Sequence, residues 1–318
     1  MSVLRINKPG WFSVIQDSGR RGAQRSGLTE GGAADEHAYR WANKLLDNPM
    51  NAACVEVLMG NFSATLTDDA LIAVTGADLD FRINDQPADN WSTHFLQGGD
   101  RIAFTGPRNG MRAYLGVAGG WLTPTCFGSR SVVVREGLGG FNGGPLVADD
   151  RLPFKPAERQ HKRQLAPRYI PDYSRPLTLK VVPGYQCLQF GATDRRRFTT
   201  GEYEVSQRID RMGYRLEGPR IVPENSGVIS EGIALGAIQV PRDGQPIVLL
   251  RDRQTIGGYP KIGCVTSLGC SQLSQRGPGT MVRFEFINLE QAQSERLVFN
   301  RFFAASQWHP AGQTVVWP

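Results

Sequence analysis

Short apolar runs alternate along the chain with turns rich in glycine and proline, a pattern typical of β-strands. The runs contain mostly Val, Ile, Leu, Phe and Thr, residues that favour the half-buried surface of a sheet. The clearest runs are Leu71–Thr75, Arg101–Phe104, Ala113–Val117, Leu177–Val182, Pro246–Leu250 and Met281–Ile287. With 37 glycines and 20 prolines among 318 residues, we expect a mainly β protein with few short helices.

Two segments have the spacing of an amphipathic helix instead. In Asp35–Asp47 one helical face carries Ala38, Trp41, Ala42, Leu45 and Leu46, and the following Asn48-Pro49 ends the pattern. In Glu290–Ala305 a similar spacing relates Val298, Phe299, Phe302 and Phe303. We expect both helices to cover a sheet or one end of a barrel.

The segment 155–176 divides the chain into two parts. It holds four prolines, six basic residues and two acidic residues, with little apolar periodicity, so it is predicted to be an exposed linker. A β-rich domain at 1–154 precedes it, a second at 177–305 follows it, and a tail at 306–318 ends the chain.

Composition excludes several classes of protein. The net charge of +6 and the pI near 9.2 are spread along the chain, without a helix-turn-helix, an RNA-binding strand signature or a zinc finger, so no nucleic-acid partner is predicted. No apolar run is long enough for a membrane span, and the first residues lack the apolar core of a signal peptide. The five cysteines form no C-x-x-C pair, which indicates a reduced, cytoplasmic protein without a zinc site.

The segment 236–261 is the most informative part of the sequence. Its two apolar runs, Ala237–Val240 and Pro246–Leu250, are followed by polar side chains and separated by turns. These side chains are Gln239, Asp243, Gln245, Asp252, Gln254 and Lys261. Strands that end in such groups place polar, potentially reactive side chains at the edge of a rigid sheet or barrel. The pattern alone equally fits a buried hairpin with solvated turns.

Several motifs resemble one family. They are Ile-Gln-Asp-Ser-Gly-Arg at 15–20, Gly-Gly-Ala-Ala-Asp at 31–35, Arg-Ala-Tyr-Leu-Gly-Val-Ala-Gly-Gly at 112–120, Gly-Ser-Arg-Ser at 128–131, Asp-Arg-Met-Gly-Tyr-Arg-Leu-Glu-Gly at 210–218, and the segment 236–261. Together they resemble the biotin-dependent carboxyltransferase family over about residues 3–290. The chain departs from the family pattern at 31–35, at 143–146 and at Val132, all in the N-terminal half.

The resemblance implies a C-terminal domain with a cyclophilin-like β-barrel. It implies a subunit of an ATP-dependent amide-processing complex of the 5-oxoprolinase type, with a smaller cyclophilin-like subunit and an amidohydrolase-like subunit as partners. The sequence has no P-loop and no biotin-attachment lysine, so ATP is expected to bind elsewhere in the complex. Biotin takes part only in the carboxyltransferase alternative, in urea or allophanate metabolism. A further alternative is a regulatory protein that antagonises an inhibitor of a histidine kinase.

Two residues are predicted to be catalytic on the strength of this motif. Lys261 follows a Gly-Gly-Tyr-Pro run and is expected to polarise a substrate oxygen as negative charge develops. Asp252 is expected to orient Lys261 or to accept a proton from a substrate N–H. The alternatives are a solvated lysine and a turn carboxylate paired with Arg251 or Arg253.

Four further residues are predicted to bind the substrate. The amides of Gln239 and Gln254 both donate and accept hydrogen bonds, which suits a lactam or a urea-like amide. Arg211 is expected to hold a substrate carboxylate through two parallel hydrogen bonds, with an ion pair to Asp210 or Glu217 as the alternative. Tyr259 is predicted to form a wall of the pocket. We expect Gln239, Asp252 and Lys261 to converge at one mouth of the barrel.

The N-terminal half offers weaker candidates. Gln16, Asp17 and Arg20 form a polar turn that is interpreted as structural or as a point of contact with another subunit, with a catalytic role as the alternative. Ser129 is interpreted as a turn serine. The histidines (His37, His94, His161 and His309) have no metal-binding spacing, and no metal is predicted.

Overall fold

The chain divides into two compact units in the computed structural model, which describes residues 2–158, 162–224, 228–308 and 315–316. The N-terminal unit comprises Met1–Ala23, Glu30–Tyr173 and Ala305–Pro318, and the C-terminal unit comprises Gln24–Thr29 and Ser174–Ala304. The domain boundaries derived from the sequence stay a prediction. Part of the segment 155–176 is packed, however, because Leu165 and Tyr173 are buried and the Leu165 N–H donates to the Trp91 carbonyl, 2.9 Å.

The N-terminal unit contains two antiparallel sheets and one α-helix. In chain order its strands are β1 (Val3–Pro9), β2 (Phe12–Gln16), β3 (Cys54–Leu58), β4 (Phe62–Leu66), β5 (Ala70–Asp78), β6 (Phe81–Ile83), β7 (Gln86–Pro87), β8 (Ser92–Leu96), β9 (Arg101–Phe104), β10 (Asn109–Val117) and β11 (Arg151–Pro153). One sheet has the order β11-β1-β4-β9-β6-β7, and the other has the order β2-β3-β10-β5-β8.

Side chains of β5 alternate between two layers of this unit, the core and the helix. Ile72 and Val74 join the core that contains side chains of both sheets, whereas Leu71 and Ala73 pack with Leu45 and Leu46 at the end of the helix. Successive strand residues point to opposite faces, so β5 is buried on both sides. The five-stranded sheet therefore has the core on one face and the helix on the other.

The helix α1 (Glu36–Leu45) confirms the periodicity found in the sequence. The Asp35 carboxylate accepts a hydrogen bond from the Ala38 N–H, 3.2 Å, which caps the first turn. Ala38, Trp41, Ala42 and Leu45 are all buried. The predicted apolar face is thus the face that packs on the sheet.

A closed seven-stranded barrel forms the core of the C-terminal unit. The strands of this unit are β12 (Leu177–Pro183), β13 (Tyr203–Ile209), β14 (Gly213–Glu217), β15 (Glu231–Gly232), β16 (Ala237–Gln239), β17 (Ile247–Leu249), β18 (Ile256–Gly257), β19 (Lys261–Val265) and β20 (Met281–Phe286). The barrel order is β12-β19-β16-β17-β14-β13-β20, and the parallel pair β12–β20 closes it. Strands β15 and β18 form a separate two-stranded sheet, as do β21 (Gln307–Trp308) and β22 (Val315–Val316) of the N-terminal unit. The predicted mainly β fold with a C-terminal barrel is confirmed.

Three α-helices of the C-terminal unit are α2 (Ala192–Thr200), α3 (Ser267–Leu273) and α4 (Leu289–Ala305). The helix expected at 290–305 is present, but its apolar face is not the buried face that the spacing indicated. Phe303 is buried, whereas Val298 is 64% exposed. Ion pairing holds part of this helix instead, since Glu295 accepts a hydrogen bond from Lys180, 2.5 Å.

Candidate functional site

Lys261 and Gln239 are neighbours across two strands of the barrel. Gln239 ends β16, Lys261 begins β19, and the two residues are register partners next to a β-bulge. A positive φ of 84° at Gly236 precedes β16, and a Cβ there would lie 2.2 Å from the Val265 carbonyl oxygen, so only glycine fits. Strand pairing therefore places the predicted lysine and the predicted amide side by side.

The Lys261 ammonium forms an ion pair with Glu231, the first residue of β15. The lysine side chain is 12% exposed, so it is mostly covered and not a freely solvated cation. An ammonium group has three N–H donors, and the Glu231 carboxylate uses one of them. Two N–H donors of the ammonium group remain beyond this ion pair.

Glu231 is also bonded by two neighbours that were not predicted from the sequence. The Tyr185 hydroxyl donates to one carboxylate oxygen, and the Gln186 amide donates to the other, 3.0 Å. The hydrogen bonds from Lys261 and Tyr185 lower the pKa of the Glu231 carboxyl, and the bond to Glu231 raises the pKa of the Tyr185 phenol. Lys261, Glu231, Tyr185 and Gln186 are called the Lys261 cluster below.

Gln186 fixes the backbone of the cluster as well as its side chains. Its side-chain oxygen accepts a hydrogen bond from the Lys261 backbone N–H, 2.7 Å, and its amide nitrogen contacts the Tyr185 oxygen, 2.9 Å. Gln186 itself is buried, whereas Tyr185 is 74% exposed, so these bonds are partly shielded from water. The cluster is therefore preorganised before any ligand arrives.

Gln239 has an unused hydrogen-bond donor. The residue is 2% exposed, and its Nε2 has no hydrogen-bond partner among the described residues. Its Oε1 lies 3.5 Å from the Gln254 Nε2, at the limit of a hydrogen bond. Gly257 allows this arrangement, because a Cβ there would lie 2.8 Å from the Gln239 Nε2. A buried donor without a partner costs about 1–3 kcal/mol, which a bound acceptor would offset.

Arg211 and Asp252 are bonded to each other. The Arg211 Nε and Nη2 donate to the two Asp252 oxygens at 2.9 and 3.0 Å, and both side chains are buried. The pairing of β14 with β17 explains this contact, since the Asp252 N–H also donates to the Arg211 carbonyl, 2.8 Å. Neither residue was predicted to be a partner of the other. Asp252 thus occupies the Nε–Nη2 edge of Arg211, and the role of Arg211 as a substrate clamp stays a prediction.

The remaining predicted residues lie in different surroundings. Gln254 is half-buried beside Gln239, and Tyr259 is 49% exposed on the turn before Lys261. His37 is half-buried against Trp41 and Trp91. His161, His309 and most of the tail 306–318 lie outside the described residues.

The polar turn of the N-terminal unit is a buried network. The Asp17 carboxylate accepts hydrogen bonds from the hydroxyls of Ser129 and Ser131, both 2.6 Å, and from the Arg130 N–H, 2.6 Å. Ser129 also accepts a bond from the Ser131 N–H, 3.0 Å, which fits its interpretation as a turn serine. Asp17 thus joins the turn after β2 to the loop 128–131.

Other types of site are reported for the described part of the chain only. All five cysteines are free thiols. No group of three or more metal-binding side chains occurs there. No helix in that part is long and apolar enough to span a bilayer.

Comparison with known proteins identifies the family. Residues 26–286 match the model of the family described as the carboxyltransferase domain, subdomain A and B. The chain belongs to this carboxyltransferase family. The family relationship expected from the motifs at 15–35 and 210–261 is confirmed.

Two similar proteins share one name, the C subunit of 5-oxoprolinase. The chain is 33% identical to the one from Escherichia coli (strain K12) over 308 residues, which cover 96% of this chain and 98% of that protein. It is 32% identical to the one from Haemophilus influenzae over 288 residues, with coverages of 89% and 91%.

A solved structure of similar fold is the urea amidolyase of K. lactis. The TM-score is 0.88 at 23% sequence identity, and the match covers 95% of this chain. It covers 20% of the urea amidolyase chain, so this protein spans about a fifth of that larger one. At this identity the likeness establishes the fold alone.

Proposed function

We propose that this chain is a subunit of an ATP-dependent complex that hydrolyses the lactam of 5-oxoproline to glutamate. The observation that carries the proposal is its 33% identity, over almost the whole length of both chains, to a protein named as the C subunit of 5-oxoprolinase. That name describes one part of a larger assembly, which supports the existence of partner chains. From the resemblance in sequence, we propose a smaller cyclophilin-like subunit and an amidohydrolase-like subunit.

The chemistry of the Lys261 cluster fits this substrate. 5-Oxoproline carries a carboxylate, a lactam carbonyl and a lactam N–H. The Lys261 ammonium, held by Glu231, is suited to polarise the lactam oxygen, on which negative charge develops during hydrolysis. The free Gln239 Nε2 is suited to bind a carboxylate or carbonyl oxygen, and the Gln254 side chain is suited to bind the N–H.

The sequence also bears on which subunit binds ATP. It contains no P-loop, so we assign ATP binding and phosphorylation of the amide oxygen to another subunit. The unstrained lactam needs this activation before water attacks its carbon. In this proposal Asp252 acts through its ion pair with Arg211 as a structural support for the site, not as a proton acceptor.

The test uses the tagged chain purified with its bound partners from its own cells. We expect ATP-dependent release of glutamate from 5-oxoproline by the complex and none by the isolated chain. Lys261→Ala is compared with Lys180→Ala, because Lys180 forms a similar ion pair with Glu295 in the same unit. Turnover of urea with biotin and bicarbonate instead would favour the carboxyltransferase alternative. A stable complex without either activity would favour the regulatory alternative, and 5-oxoproline hydrolysis by the chain alone would contradict the subunit proposal.

A further inference from the structure

A cavity of about 530 Å³ lies in the C-terminal unit beside helix α2. It is bounded by residues 192–199 of α2, by the segment 183–188 at the end of β12, and by Phe286 of β20, and is called the α2 cavity below. Pockets of about 300–1,000 Å³ are typical of sites for small organic ligands. The α2 cavity is therefore large enough for such a molecule.

One face of α2 forms a wall of this cavity. Four residues line it, at the spacing of three and four that places side chains on the same side of a helix. They are Ala192, Arg195, Arg196 and Thr199. The buried residue of α2 is instead Phe198, which stacks on Phe284 with ring centroids 4.2 Å apart. Packing on the barrel and lining the cavity thus use different residues of the helix.

The two arginines give the α2 cavity a positive charge. Neither Arg195 nor Arg196 forms an ion pair with a described residue, whereas the next residue, Arg197, is paired with Asp194, 2.8 Å. The Arg195 Nη1 donates to the Phe190 carbonyl oxygen, 2.8 Å, which orients the side chain without cancelling its charge. Both side chains are accessible, since Arg195 is half-buried and Arg196 is exposed. None of the described residues that line the cavity is acidic, so an anion there would meet two cations and no carboxylate.

The rest of the wall is mostly apolar and is held by the barrel. The ring of Phe286 lies against that of Phe198, with centroids 5.5 Å apart. The Gly184 N–H donates to the Ile262 carbonyl oxygen, 3.1 Å, which ties the segment 183–188 to β19. Leu188 in this segment is 77% exposed, so a ligand that covers its side chain gains free energy from the burial.

We propose that the α2 cavity binds a small carboxylate that carries an apolar chain. The carboxylate accepts hydrogen bonds from the guanidinium groups of Arg195 and Arg196, whose planar N–H donors match its two oxygens. The chain covers Leu188 and Phe286. A bare anion would leave this apolar surface in water, and an uncharged chain would leave both arginines unpaired. The cavity shares no residue with the Lys261 cluster, so binding here is independent of the proposed hydrolysis of 5-oxoproline.

Calorimetric titration of the full chain with alkyl carboxylates tests the proposal. Butanoate, hexanoate and octanoate are compared at one pH and one ionic strength. We expect saturable binding whose affinity rises about two- to threefold for each added methylene, because each CH₂ group covers part of the apolar wall. Hexanol and hexylammonium should bind about tenfold more weakly than hexanoate, because neither accepts charge-assisted hydrogen bonds from the arginines.

Variants assign the binding to the α2 cavity. The double variant Arg195→Gln, Arg196→Gln should weaken hexanoate binding about tenfold, because both cations are lost. Leu188→Ser, at an exposed position, should reduce the gain in affinity from butanoate to octanoate. Arg208→Gln is the control, since Arg208 is an exposed arginine of the same unit that does not line the cavity, and it should bind hexanoate as the wild type does.

Several outcomes overturn the proposal. A wild-type protein without saturable binding of hexanoate or octanoate is decisive, even where a variant does not fold. A folded double variant with the wild-type affinity for hexanoate would place the binding outside this cavity. Equal affinities for butanoate and octanoate would contradict the contact with the apolar wall. Hexylammonium that binds as tightly as hexanoate would contradict the role of the arginines.

Discussion

Gln239 and Lys261 lie opposite each other on paired barrel strands, one with an unused amide donor and the other with an ammonium anchored by a carboxylate. Neither arrangement is required for a stable barrel, because a lone buried amide donor lowers stability and a solvated lysine would cost less to place. Features that are poor for folding but well placed for a ligand are typical of functional sites. The predictions below separate these two roles.

Replacing Lys261 should remove activity without unfolding the barrel. Lys261→Met keeps the apolar stem of the side chain and loses the ammonium, so the complex should lose about 100- to 1000-fold in kcat, as for one preorganised donor. The measurement is steady-state glutamate release, with Lys180→Met as the control. Wild-type kcat in the Lys261 variant would remove this residue from the reaction.

Replacing Glu231 should change the dependence of stability on pH. The folded-state pKa of Glu231 lies below its ordinary value of 4.5, because Lys261 and Tyr185 bond the charged form. Its stabilising contribution is therefore present above that pH and is lost as the pH falls through the lowered pKa. Glu231→Gln should lower the Tm at neutral pH, and its difference from wild type should shrink below pH 4.5.

Melting curves from neutral pH to about pH 3.5 measure this difference. Gln207→Asn, at an exposed amide of the same unit, is the control, because it changes no titratable group and should differ from wild type by a constant small amount. A Glu231→Gln difference that stays constant over the same range would mean that the ion pair with Lys261 does not stabilise the protein.

The Arg211–Asp252 pair should behave as structure. Asp252→Ala removes the carboxylate that accepts two hydrogen bonds from the buried Arg211 guanidinium and should lower the free energy of unfolding by about 3–5 kcal/mol. The double variant Arg211→Met, Asp252→Ala should lose less than the sum of the two single variants, because the pair acts as a unit. Urea unfolding gives these values. An Asp252→Ala protein of wild-type stability but without activity would instead support the proton-transfer role.

Gln239→Leu should separate stability from substrate binding. The substitution removes a buried donor that has no partner among the described residues, so the free energy of unfolding should stay equal or rise by about 1 kcal/mol. The KM for 5-oxoproline should rise about tenfold, because the substrate loses one hydrogen bond. Gln207→Leu, at an exposed amide of the same unit, is the control. A destabilised Gln239→Leu protein with unchanged KM would show that the amide is bonded within the fold.

The periodicity of apolar residues predicted many of the strands and helices. It did not predict which side chains contact each other. The strands at 71–75, 101–104 and 113–117 and the helix after Asp35 follow from periodicities of two and 3.6 residues. The helix α2 gave no such signal, because Phe198 is its one buried residue. Helix α3 is short and contains Gly269, which weakens any helical prediction.

Sequence pattern identified the candidate residues that lie close together in the sequence. It did not identify those that distant segments bring to the same place. Gln239 and Lys261 both belong to the segment 236–261, whose polar residues follow apolar runs. Glu231 and Tyr185 reach Lys261 only through the folded barrel, and their own surroundings in the sequence are unremarkable loops. Arg211 was predicted to bind a substrate carboxylate and Asp252 to orient Lys261 or accept a proton, because the sequence does not reveal which oppositely charged residues the strand register brings together.

The strand that closes the barrel is also the last of its strands to be synthesised. β20 lies between β12, which it joins in parallel, and β13, which it joins antiparallel. A nascent chain that ends before Met281 therefore has two open edges, one on each of those strands, and open edges invite intermolecular pairing. The ring can therefore shut only after β20 has been synthesised, and until then β12 and β13 each keep an unpaired edge.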